Sequence, residues 1–183
     1  ESLFKNATGY SNTSVGYRSL YSSTTGGRNT AIGDSTLFSN TTGGDNTATG
    51  AYALHLNTSG YWNTGNGYQS LFSNTTGIGN TATGYKAFRS GKTGNYNTAV
   101  GYHAGYSNTA GSNNVFIGSS AGYYETGSNK LFIDNQQRAN ETDARNKALI
   151  YGIFSSDPGS QVLTFNGNVG IGTLTPSNKL EVN

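Results

Sequence analysis

The side chains able to catalyse a reaction or capture an ion are sparse, and they are scattered. The chain holds two histidines, nine acidic residues and no cysteine, which excludes disulfides and thiolate metal sites. Much of its length follows a 17-residue repeat, set out below. His55 and His103 fall at its positions ten and seven, in different units. Asp34 and Asp45 occupy positions six and seventeen of one unit and have no counterparts in the others. General acid–base catalysis needs paired groups held in a cleft, so no enzyme activity, metal or cofactor is expected. The phosphate-binding pattern G-x-x-x-x-G-K-[ST] does not occur. A nine-residue calcium-binding roll is excluded by the period and by the missing aspartates. What remains is aromatic. Tyr61, Trp62 and Tyr96 lie at positions sixteen and seventeen, the most variable of the repeat. They are the candidate receptor-binding residues, suited to stack on sugar rings or grip a protein partner. The alternative is that they pack on the neighbouring turn.

The element that would position them is the repeat. Asn12, Asn29, Asn46, Asn63, Asn80, Asn97 and Asn114 recur every 17 residues. Asn12 opens NTSVGYRSLYSSTTGGR, Asn29 opens NTAIGDSTLFSNTTGGD, and the unit from Asn114 is one residue short. The first eleven residues fit the tail of a further unit, giving about seven and a half units over residues 1–130. Position five is always glycine: Gly16, Gly33, Gly50, Gly67, Gly84, Gly101 and Gly118. A second glycine recurs at position fifteen. Both mark corners, because glycine alone takes positive φ freely or admits a close backbone. Two corners leave two short extended segments, which predicts a flattened all-β parallel solenoid with two strands per coil. Coils stack about 4.8 Å apart, so the asparagines are expected to form an amide ladder along a rod of roughly 36 Å. Tyr17, Tyr68, Tyr85 and Tyr102 at position six are expected to stack likewise. Positions two and four are expected to point inward, because the last unit carries Val115 and Ile117 there. A small eighth residue and a large ninth one complete a thin core.

Composition agrees with a turn-rich β structure. Gly, Thr, Asn and Ser make up 95 of the 183 residues, hydrophobic residues 33% and charged residues 11%. An ordinary domain has roughly 45–50% apolar and about 25% charged residues. The 13 tyrosines, 8 phenylalanines and formal charge of +2 argue against disorder. With so few large apolar side chains per coil, a lone solenoid is marginal, and burial shared between chains would remedy that. No apolar run approaches the ~18 residues of a membrane span. Basic residues are scattered among acidic ones, which gives no nucleic-acid footprint. Neither membrane insertion nor nucleic-acid binding is expected.

The unit N-T-A-[IV]-G-Y-x-A with a trailing N-T-T-G resembles the head repeat of trimeric autotransporter adhesins (the YadA-like head). It also resembles repeats of other bacterial surface proteins and of phage tail fibres. The resemblance covers residues 1–133, although the family's unit is somewhat shorter than 17 residues. It implies a left-handed parallel β-roll in which three chains form one trunk. Residues 134–165 read as a transition: a charged loop or short helix over 135–147, then strands at 148–154 and 162–165 around Asp157-Pro158-Gly159. Residues 166–183, NGNVGIGTLTPSNKLEVN, resemble an extended stalk connector of tail-fibre and surface-fibre proteins. There it often precedes a trimerising chaperone domain, so the chain is expected to be a piece of a longer fibre. The function implied is a non-enzymatic extracellular fibre segment on a bacterial surface or a virion. As a homotrimer it would give reach and multivalent attachment to a surface glycan or protein receptor. Two alternatives stay open. One is a structural filament subunit without a receptor. The other is an ice-binding solenoid using threonine rows, Thr13, Thr30, Thr47, Thr64, Thr81 and Thr98 at position two and the pairs at 24–25, 41–42 and 75–76.

Overall fold

A computed structural model describes residues 1–171, 176–177 and 179–182. Parts of the stalk connector expected over 166–183, namely residues 172–175, 178 and 183, lie outside the described residues. Each repeat contributes one three-residue strand: β1 (Thr13–Val15), β2 (Thr30–Ile32), β3 (Thr47–Thr49), β4 (Thr64–Asn66), β5 (Thr81–Thr83), β6 (Thr98–Val100) and β7 (Val115–Ile117). They pair in parallel, each residue beside its equivalent one unit on, as Thr13 is beside Thr30. The short last unit shows in the register, where Val115 of β7 meets Leu131 of β8 (Lys130–Ile133). A helix, α1 (Glu141–Lys147), follows, its first turn capped by the Asn140 side chain, which accepts from the Asp143 N–H. Strands β9 (Ile150–Ile153) and β10 (Val162–Phe165) then join antiparallel, completing a ten-stranded sheet. A separate pair, β11 (Val169–Ile171) and β12 (Leu180–Val182), is parallel. The fold is an all-β solenoid of about seven coils, ended by an antiparallel cap.

Two expectations need correction. First, each coil has one strand, not two. Positions seven and nine hold a left-handed backbone in every coil, as at Arg18 (φ 50°) and Leu20 (φ 49°). Extended structure cannot persist through such residues. The rest of the coil is held by stacked turns, as where Leu20 N–H donates to Thr36 C=O at 3.0 Å and Leu37 N–H to Ala53 C=O at 3.0 Å. Second, position three points inward, not positions two and four. Side chains alternate along a strand, so the buried asparagine at position one puts position three on the same inner face. Ala31, Ala48, Ala82, Ala99 and Phe116 are all fully buried, whereas Val15, Ile32, Val100 and Ile117 at position four are 40–57% exposed. The position-two threonines therefore face out. The threonines of the other row, Thr24, Thr41, Thr58 and Thr75, donate their hydroxyls to a carbonyl of the next coil at 3.0–3.1 Å.

The core is one column deep. Leu20, Leu37, Leu54 and Leu71 at position nine stack along it, fully buried. From the fifth coil on, phenylalanines replace them: Phe88, then Phe116 and Phe132 from the strand side, with Tyr151 of β9 closing the series. Gly105 and Gly122 stand where leucine stood before. A Cβ on them would fall 2.5 and 2.3 Å from the Phe116 ring, so its bulk requires their absence of side chain. The position-five glycines serve close stacking. Gly16 has φ +128°, and a Cβ there would lie 2.4 Å from the carbonyl oxygen of Gly33. The cap is electrostatic as well as apolar. Glu125, fully buried, accepts from the Gly127 N–H at 2.8 Å and from Arg145 of α1 at 2.8 and 2.9 Å. Arg138 is bidentate to Asp134, at 2.7 and 2.8 Å.

Candidate functional site

Tyr61, Trp62 and Tyr96 sit on the edge that leads into the strands. Position seventeen is left-handed in every coil: Ser11, Arg28, Asp45, Trp62, Gly79, Tyr96, Asn113 and Asn129 have φ of 52–66°. Backbone bonds fix this column, with Trp62 N–H to Gly44 C=O at 3.2 Å, Gly79 N–H to Tyr61 C=O at 3.0 Å and Tyr96 N–H to Ile78 C=O at 2.9 Å. A bulky side chain in this conformation is an outlier and costs roughly 1–2 kcal/mol. Trp62 and Tyr96 bear that cost while remaining 62% and 59% exposed. Little burial offsets it.

The three rings lie along one edge of the rod. Tyr61, 40% exposed, meets Trp62 edge-on with centroids 6.3 Å apart. Gly79 separates Trp62 from Tyr96 in the column, and the Tyr96 ring lies over it, where a Cβ would be 2.7 Å from Cδ1. The neighbouring coils hold a polar cluster on the same edge. Arg28 donates to both Asp45 oxygens, at 2.5 and 2.7 Å, and to the Tyr10 hydroxyl at 2.6 Å. Its guanidinium holds the Asp45 carboxyl below the usual carboxylate range, and Asp45 in turn raises Arg28. The edge is thus an aromatic surface beside a self-neutralised ion pair, open to solvent.

The recurring polar residues serve the rod. Asn29, Asn46, Asn63, Asn80, Asn97 and Asn114 each donate Nδ2 to the Oδ1 of the asparagine one coil before, at 2.9–3.2 Å. With Asn12 included, all seven also donate to a glycine carbonyl across the coil, at 2.8–2.9 Å. The Oδ1 of each asparagine from Asn12 to Asn97 takes the next asparagine's backbone N–H as well, and that of Asn114 takes the Lys130 N–H. The amide ladder expected from the spacing is present. Tyr68, Tyr85 and Tyr102 stack at 5.4 Å, while Tyr17 stands apart because Asp34 and Ala51 take its place in the next two coils.

Two columns went unread in the sequence. Asn57 and Asn74 at position twelve form a second amide ladder, donating to Asn40 and Asn57 at 2.8 and 2.7 Å. At position ten, Phe4, Tyr21, Phe38, His55 and Phe72 stack with centroids 5.1–5.4 Å apart. Arg89 continues this stack between Phe72 and Tyr106, at 5.0 and 5.9 Å. Their 17-residue recurrence was visible; what hid them was the change of residue type along each column. The histidines belong to these stacks. His55 places Nδ1 2.8 Å from the Ser35 carbonyl oxygen. His103 lies among Tyr85, Tyr102, Tyr106 and Tyr123, its Nε2 buried without a partner. Burial, then Lys86 and Arg89, push its pKa down. Among the described residues, no three His, Asp or Glu side chains converge as a metal site. No family model, curated protein or solved structure matches the chain.

Proposed function

We propose that the chain is a non-enzymatic segment of an extracellular fibre, an adhesin head or tail-fibre shaft that works as a homotrimer and carries receptor sites away from a surface. The observation that carries this reading is the open face of the sheet. Position four presents Val15 and Ile32 at one end and Val100 and Ile117 towards the other, all at least 40% exposed. Past β7 the outward residues are Leu131, Ile133, Ile150, Leu163 and Phe165, the last two 59% and 49% exposed. Thr49, Asn66 and Thr83 part this surface into an apolar patch at each end of the face. Hiding such surface is worth about 25 cal/mol per Å², and exposed apolar patches mark interaction sites. Three copies turning this face to a common axis would cover it and thicken a core that is one column deep. Three Trp62 edges would then face outward together and supply avidity. Light scattering tests the assembly: a mass near three times 19.2 kDa supports it, and a folded monomer overturns it. Attachment is tested on a glycan array, where Trp62→Ala abolishes any binding the Trp62 edge supplies.

The outward threonines favour one second reading, ice binding. Thr47 and Thr49 on β3 and Thr81 and Thr83 on β5 are spaced two apart along their strands, on the third and fifth coils, with Thr64 of β4 on the coil between them. That function requires the face to be open, so it predicts a monomer with thermal hysteresis. A trimer without any ligand would instead point to a structural filament.

A further inference from the structure

The edge that leaves the strands differs from the one that enters them. Tyr68, Tyr85 and Tyr102 form a row there, 40–52% exposed. Their ring faces cover one another at 5.4 Å, so the row presents edges and hydroxyls to solvent. One cation lies against this row and a second in the neighbouring position-ten stack. Lys86 Nζ is 4.9 Å from the Tyr85 ring. Arg89 is held in the position-ten stack, with its Nε on Gln69 Oε1 at 3.0 Å. Among the described residues, neither cation forms an ion pair. The charge pattern extends well beyond these two. No aspartate or glutamate occurs between Asp45 and Glu125, while Lys86, Arg89 and Lys92 all fall in that stretch.

We propose that this edge binds an acidic polysaccharide lying along the rod, separately from the Trp62 edge. A fixed, unpaired cation beside stacked rings suits a carboxylate, because a guanidinium to carboxylate hydrogen bond is charge-assisted and directional. The phenol hydroxyls suit the hydroxyls of a sugar chain. The coil rise of about 4.8 Å is close to the length of one extended pyranose unit, so successive sugars meet successive tyrosines. A single-stranded nucleic acid needs open aromatic faces for its bases, and here those faces are taken.

The test uses the 183-residue chain at low salt, where screening is weak. The probes are polygalacturonate, the same polymer fully methyl-esterified, and single-stranded DNA of equal length. Polygalacturonate is expected to bind on the order of tenfold more tightly than its uncharged ester. Lys86→Gln with Arg89→Gln removes that advantage, and Arg89→Lys, which keeps the charge, retains part of it. Tyr85→Phe with Tyr102→Phe leaves charge and stacking intact and weakens binding several-fold. Thermal melting of every variant separates lost binding from lost fold. Equal binding of the ester overturns the proposal. So does DNA binding as tight as polygalacturonate with the Tyr→Phe pair indifferent, which would show charge alone at work.

Discussion

Coils one to four and coils five to seven fill the same space with different side chains. In the first group a leucine at position nine faces a small strand residue, and position twelve closes the corner with Ser23 in the first coil and asparagine in the next three. In the fifth coil Phe88 takes the leucine's place, and its ring fills the room that a side chain at Gly91 would need, 2.2 Å from a Cβ there. Two coils on, the bulk has crossed to the strand as Phe116, and Gly105 and Gly122 have receded to receive it. Volume is conserved while its owner changes, the kind of exchange that packed cores tolerate. The exchange has a polar consequence. The position-twelve ladder stops at Gly91, leaving Asn74 Oδ1 buried without a donor. In a rod this thin, the meaning of a residue depends on its neighbour one coil away.

The sharpest way to break the comparison is Phe116→Ala. With glycine on both sides nothing collapses into the void, so a loss of about 3–5 kcal/mol is expected. Because stability in stacked repeats is close to nearest-neighbour, calorimetry should show the cap and the first four coils melting apart. Leu54→Ala should cost less and keep a single transition.

Arg145→Met comes next. It strands the buried Glu125 carboxylate, and breaking such a pair costs about 3 kcal/mol. Chemical denaturation should register the loss at the cap end, by hydrogen exchange in β8 and β9, with β1 to β4 unaffected.

Gly91→Asn sharpens the contrast. Alone it collides with Phe88 and should cost about 1–3 kcal/mol. Combined with Phe88→Leu it recreates the pattern of the earlier coils and gives Asn74 Oδ1 its donor. The pair should therefore recover most of the loss in a double-mutant cycle.

The smallest effect is that of acid on two groups of the second region, His103 in the sixth coil and Glu125 in the seventh. His103 has its pKa lowered, so its contribution is complete above 6.5 and is lost as pH falls below it, when the unfolded chain gains a proton first. Burial pushes Glu125 up, but Arg145 and the Gly127 N–H more than offset it and hold the group below 4.5. Its contribution is present above 4.5 and drains as pH falls further. Melting temperature should drop in two steps, and His103→Gln should remove only the upper one.

Much of the rod was legible because a period is legible. The asparagine ladder, the glycine corners, the short last unit and the helix and strands after Asp134 all follow from spacing and residue type. Hydrophobicity alone places Val115 and Ile117 in the core, and so reverses inward and outward along the strand. Parity from the buried asparagine decides the matter, and it sends both to the open face. A second strand is expected because Leu20 and its equivalents look like strand residues, yet they hold a left-handed backbone. The Trp62 edge was visible as variability. The Arg145–Glu125 cap was not, since nothing local in the sequence ties a lone glutamate in the last coil to an arginine 20 residues on.

The hydrogen bonds between coils run along the rod. A pull applied at its two ends loads every junction in series and in tension, so each bears the whole force and the weakest one sets the strength. The second amide ladder joins only the second, third and fourth coils, so the junctions outside it lack that bond. Under load, the rod should part at one of those junctions first, leaving two pieces whose coils remain wound.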